Sequence, residues 1–275
     1  MPTNNCSINS PLSLKRVKTG VAEVPEKRPK LSPANNFHEF IRVMVGNKSQ
    51  KFLIPKSLLV FTSGYFEAAC RENSGCSDGA VIEVCLAHVD PKIFGIYVTW
   101  LYMTNLTASD DFVKFPKAEA DAPNLQPQLR RALFYRLEAQ REQLVECYCL
   151  GDFLQAPKFQ NATMNLLIEN GSRDAAHRER IREPLMVDIK SVYRNTKAGS
   201  PLRALTVDAV IYSHGARNQL KPDILEFWQD LGKKAMDLLA NKALPSNPFL
   251  MDPCTFHIHP DKRDGFQCPE KRTCM

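Results

Sequence analysis

The chain has 275 residues, a formal net charge of +6, 44% hydrophobic and 24% charged residues. That composition is ordinary for a globular protein of one large domain or two small ones, and most of the chain is expected to fold. It excludes a membrane protein of the helical kind, because no apolar run approaches the ~18 residues a spanning helix needs.

Residues 1–36 are rich in Ser, Asn, Pro and Lys, and their hydrophobic residues show little periodicity, which predicts a disordered tail. Residues 1–20 lack the apolar stretch of a secretory signal, so the chain is expected to stay inside the cell. The charge is concentrated here: Lys15, Arg16, Lys18, Lys27, Arg28 and Lys30 against Glu23 and Glu26 leave this segment at +4. The remainder is nearly balanced, which speaks against a nucleic-acid-binding face spread over the body. Two basic clusters ten residues apart (Lys15, Arg16; then Lys27, Arg28, Lys30) fit a bipartite nuclear localisation signal, so a nuclear location is expected.

From Phe37 the pattern changes. Ile41 to Val45 is rich in β-formers, Gly46-Asn47 forms a turn, and Lys51 to Ile54 is a second strand, so a hairpin is predicted. Two short helices follow, Lys56 to Val60 and Ser63 to Ala69, with Ser63 as an N-cap. After a polar loop, Ala80 to Val84 reads as a third strand. Asp90 caps a helix that has Pro91 in its first turn and runs to Tyr102. Residues 104–127 lose periodicity and predict a long loop. A helix from about Leu129 to Phe153 is broken before Pro157. The next, Phe159 to Glu169, is expected to end at Asn170-Gly171-Ser172. Helices are also predicted over 173–195, 206–217 and 222–242, with Leu225, Trp228, Leu231, Ala235 and Leu238 on one face of the last.

Nine cysteines at irregular spacing, with no export signal, point to reduced thiols. Cys70, Cys85, Cys147 and Cys149 stand among apolar residues and read as small buried hydrophobes.

The order strand–strand–helix–helix–strand–helix–loop–helix–helix is similar to that of the BTB/POZ fold, and specific residues carry the resemblance. Phe52-Leu53-Ile54-Pro55-Lys56-Ser57-Leu58-Leu59 followed by Ser63-Gly64-Tyr65-Phe66 resembles the family's Phe-x-Val/Ile-x-Lys-x-x-Leu and Ser-x-Tyr/Phe-Phe blocks. Val81 to Val84, Asp90-Pro91 with Phe94, and Trp100-Leu101-Tyr102 resemble the next. Tyr148 with Leu150-Gly151-Asp152-Phe153-Leu154, then Phe159 and Asn161, resembles the family's Leu-Ala-Asp helix end and the helix behind it. The composition of the tail, the long loop and the C-terminal Cys/His cluster are similar to the BTB proteins common in filamentous fungi.

The resemblance implies an α+β BTB/POZ fold over residues 37–172, then a helical extension over 173–244 and a Cys/His-containing segment over 245–275. It implies a protein–protein interaction adaptor or scaffold that self-associates as a homodimer through roughly residues 37–70, with Phe61, Tyr65 and Phe66 as interface candidates. A cullin ubiquitin-ligase adaptor is the second reading. Against it, Pro55 stands where the family often has His. The connection after Tyr102 also lacks the hydrophobic-x-Glu element of cullin-binding members, its one Glu being Glu119, with Lys117 two residues before.

The C-terminal segment carries Cys254-x-x-His257-x-His259, then Cys268 and Cys274. Cys and His in this mixture suit Zn²⁺ in a tetrahedral N/S set. His257 and His259 fall on one side of an extended chain, so Cys254, His257, His259 and Cys268 form the candidate set, with Cys274 spare. A zinc-dependent nucleic-acid binder is the reading from a different class. No enzyme is expected: the chain has no phosphate loop and no HExxH, and His38, His88, His177 and His214 are scattered.

Overall fold

In the computed structural model, residues 39–72, 81–114, 126–177, 188–213 and 223–259 are described. They form an α+β structure built around a small three-stranded sheet, with strands β1 (Phe40–Val45), β2 (Gln50–Pro55) and β3 (Ile82–Leu86) in the order β2-β1-β3. The predicted hairpin is present, β1 pairing antiparallel with β2. β3 pairs parallel to β1, bringing Ile41 opposite Ile82 and Val45 opposite Leu86. Alternation then decides the faces. Ile41, Val43, Val45, Ile54, Val84 and Leu86 point into the core, while Arg42, Leu53, Glu83 and Cys85 face outward and are exposed. Cys85 is therefore not the buried thiol that its apolar neighbours suggested: its register places it on the outer face.

Helix α1 (Lys56–Thr62) ends at Ser63, whose extended backbone starts α2 (Gly64–Glu72). The Ser63 hydroxyl accepts from Phe66 N–H at 3.3 Å, so the predicted cap is formed, and it donates to the Leu154 carbonyl, tying this corner to the far helices. Helix α3 (Pro91–Met103) starts at Asp90, whose carboxylate accepts from Lys92 N–H at 2.7 Å. Its Phe94 and Tyr97 are fully buried and Trp100 nearly so. Tyr97 and Trp100 both meet Phe159 of a later helix, with ring centroids 5.0 and 5.2 Å away.

The loop expected over 104–127 is only partly irregular. Its described part, 104–114, contains a 3-10 turn (Leu106–Ala108) and buries Leu106 and Phe112. Two glutamines of α4 (Pro127–Phe153) hold it. Gln143 accepts from Val113 N–H at 2.8 Å and donates to the Asp111 carbonyl at 2.8 Å, and Gln140 donates to the Val113 carbonyl at 2.6 Å.

Helix α5 runs from Pro157 to His177, past the stop expected at Asn170-Gly171-Ser172 and across the expected domain boundary at residue 172. Gly171 does not end this helix. It leaves room for Phe249, whose ring would lie 2.1 Å from a Cβ placed there. Of the helix expected over 173–195, residues 173–177 belong to the end of α5 and 189–195 to α6 (Ile189–Asn195), which Asp188 caps, while 178–187 lie outside the described residues.

Helix α7 spans Pro201–Tyr212, starting earlier than expected because Pro201 supplies its first turn. Helix α8 spans Leu225–Ala240. Its core contact is Phe227, fully buried edge-on against Tyr193 at 5.6 Å. This rotates the helix so that Leu225 and Trp228, expected on the buried face, are 69% and 44% exposed. Leu231, Ala235 and Leu238 are half-buried as expected. Among the described residues, no helix is long and apolar enough to cross a membrane.

Candidate functional site

Segment 245–259 lies along α5 in the opposite direction. Phe249 sits on Gly171, and Ser172 donates to the Phe249 carbonyl at 2.6 Å. Further along, His257 meets Asn165 at 2.9 Å, and Ile258 meets Asn161. Asn161, Asn165 and Ser172 recur at helical spacing, so one face of α5 meets the segment at Ile258, His257 and Phe249. Asn161 grips the Ile258 backbone on both sides, accepting from its N–H at 2.7 Å and donating to its carbonyl at 3.1 Å. Phe256, 1% exposed, anchors the middle.

This segment carries the Cys/His cluster. Asp252 caps a 3-10 turn (Pro253–Thr255) by accepting from Cys254 N–H at 3.0 Å, which fixes the backbone of Cys254. The chain continues through His257 and His259, whose rings come 5.8 Å apart. The ligand atoms of Cys254, His257 and His259 all lie within 4.8 Å of one another. Burial, followed by the neighbouring His259, pushes the His257 imidazole down to about 4, so at neutral pH it is the uncharged base a metal requires. The Asn165 carbonyl oxygen can only accept, so the facing Nε2 of His257 carries the proton and Nδ1 keeps the lone pair. Three of the four expected ligands are therefore brought together. Cys268 lies outside the described residues, as does Cys274. Asn161 and Asn165 were not recognisable as supports, since nothing local relates a helix to residues more than ninety positions away.

The three interface candidates separate. Phe61, at the end of α1, is 42% exposed, with the Lys158 ammonium 4.9 Å from its ring centroid. Tyr65 is half-buried, its ring 5.1 Å from Phe153, and Phe153 in turn lies 5.1 Å from His88. Phe66 is fully buried and belongs to the core. This corrects its place among the interface candidates: one turn of helix sends adjacent side chains in different directions. The surface aromatic run is instead Tyr65–Phe153–His88, with Phe153 38% exposed. The basic residues Lys15, Arg16, Lys27, Arg28 and Lys30 lie outside the described residues.

Cys70 and Cys147 are buried thiols, as expected, and Cys149 is half-buried. No family model and no curated protein matches the chain.

Proposed function

We propose that the chain is a non-enzymatic, self-associating adaptor of the BTB/POZ type, with α6–α8 as a helical extension. The observation that carries the reading is the aromatic surface beside the hairpin–helix unit. Phe61 and the run Tyr65–Phe153–His88 offer large, stiff, partly polar side chains, the residue chemistry enriched where proteins meet. The element order also supports it: β1-β2-α1-α2-β3-α3-α4-α5 is the order on which the resemblance rests. The occupant of the surface is a second copy of the chain. The basic N-terminal clusters act as a nuclear address, and replacing Lys27, Arg28 and Lys30 with Ala moves a fluorescent fusion to the cytoplasm.

Light scattering after size exclusion tests self-association. The wild type has the mass of two chains, and the Phe61→Asp, Tyr65→Ala double variant that of one, with an unchanged circular dichroism spectrum. A monomeric wild type, or a folded variant that stays dimeric, removes the proposal.

A further inference from the structure

We propose that Cys254, His257 and His259 form a Zn²⁺ site that fixes the local fold of the segment which Asn161 and Asn165 hold against helix α5. The donors are one thiolate and two imidazoles, the soft and borderline set that selects zinc over magnesium or calcium. They come from six consecutive residues, Cys254 to His259. A capped turn and the residues that follow it bring these together before any metal is considered.

The distances suit the ion. Around tetrahedral zinc, N···N and N···S separations are about 3.3–3.6 Å. The ligand atoms already lie within 4.8 Å of one another, near that spacing.

The surroundings are those of a built site. Asn165 holds Nε2–H of His257, so it selects the tautomer whose Nδ1 binds. This is the role that a hydrogen-bonded partner plays behind a metal-bound histidine. Asn165 is a positioning residue, acting through His257, and Asn161 fixes the intervening Ile258 backbone.

Segment 245–259 is held by short local turns, Leu250 N–H donating to the Asn247 carbonyl and Phe256 N–H to the Pro253 carbonyl, and the binding free energy of an ion would add to their stability. Metal content and oligomeric mass test the site and the adaptor reading separately, so either can fail alone.

The full-length chain, without a histidine tag, is purified from zinc-supplemented cells and examined by native mass spectrometry and elemental analysis. One zinc per chain is the expected result. The Cys254→Ser, His257→Ala double variant loses the ion, Asn165→Ala binds 10–100-fold more weakly, and Asn165→Asp, which keeps the acceptor, binds like the wild type. Should the double variant fail to fold, cobalt added to the wild type and to Cys254→Ser decides, since a thiolate-to-cobalt charge-transfer band present in the first and lost in the second reports Cys254 as a ligand. Metal-free wild type, copper in place of zinc, undiminished zinc in the double variant, or a cobalt complex without charge transfer would each overturn the site.

Discussion

Gly171 and Phe249 meet so closely that a Cβ on the glycine would sit 2.1 Å from Phe249 Cδ1. The contact places segment 245–259 on α5, and it reverses an ordinary rule. Alanine in place of a mid-helix glycine normally stabilises by about 1 kcal/mol. At Gly171 the buried ring of Phe249 must move, and overpacking costs about 1–3 kcal/mol. Gly171→Ala is therefore expected to lower the urea midpoint. Gly232, in α8, is the control, because a Cβ there meets nothing within 4 Å. Gly232→Ala should raise the midpoint, by about 0.5–1 kcal/mol. Equal shifts at the two positions would count against the packing described.

Asn161→Ala removes two hydrogen bonds to one residue, at the Ile258 N–H and carbonyl. Leaving partly buried backbone groups unpaired costs about 1–3 kcal/mol. The local consequence is opening of segment 245–259, so limited proteolysis should cut there first and faster than in wild type. A cleavage pattern identical to wild type would show that the clamp contributes nothing.

Arg203 is 8% exposed and serves the C-terminal end of α6. Its guanidinium donates to the carbonyls of Tyr193 and Thr196 and to the Thr196 hydroxyl, and lies 4.3 Å from the Tyr193 ring centroid. Arg203→Ala strands these acceptors and removes a packed side chain, a loss of about 2–4 kcal/mol by denaturant titration. Arg203→Lys should recover only a small part, since an ammonium cannot fork between Tyr193 and Thr196 while stacking on a ring.

Cys147 is fully buried, and burial first, then the carboxylate of Glu146, pushes its thiol up. Alkylation requires thiolate and access. Iodoacetamide at pH 8 should leave Cys147 unmodified in the native chain and modify it fully in denaturant, read by peptide mass mapping. Native labelling at Cys147 would contradict the helix packing.

The Tyr97 hydroxyl is buried 3.1 Å from Thr62 Oγ1, and burial pushes it up to about 12. An unfolded tyrosine ionises near 10. Between those values the unfolded chain releases a proton that the native chain keeps, so stability falls as pH rises. The contribution of Tyr97 is intact below pH 10, and about 2–3 kcal/mol is lost by pH 12. Urea midpoints measured from pH 9 to 11 should fall less steeply in Tyr97→Phe than in wild type. Parallel slopes would place the alkaline loss elsewhere.

The sequence alone determined the features governed by neighbours in the chain. Alternation and the turn at Gly46 set the hairpin, Asp90-Pro91 set the start of α3, Ser63 set the junction of α1 and α2, and the spacing Cys254-x-x-His257-x-His259 marked three side chains whose ligand atoms converge. Tertiary structure decided what depends on contacts between distant residues. Gly171 looked like a helix stop because glycine usually follows one, but Phe249 needs its empty side to lie on a helix that continues. Phe227 won the buried face of α8 from Leu225 and Trp228 because Tyr193 offers it an aromatic partner. Phe66 went to the core and Phe153 to the surface aromatic run, since helix direction assigns those faces. The cluster's supports on α5, Asn161 and Asn165, emerged only when the chain folded back. A hydrogen bond across more than ninety residues leaves no periodicity in the sequence to read.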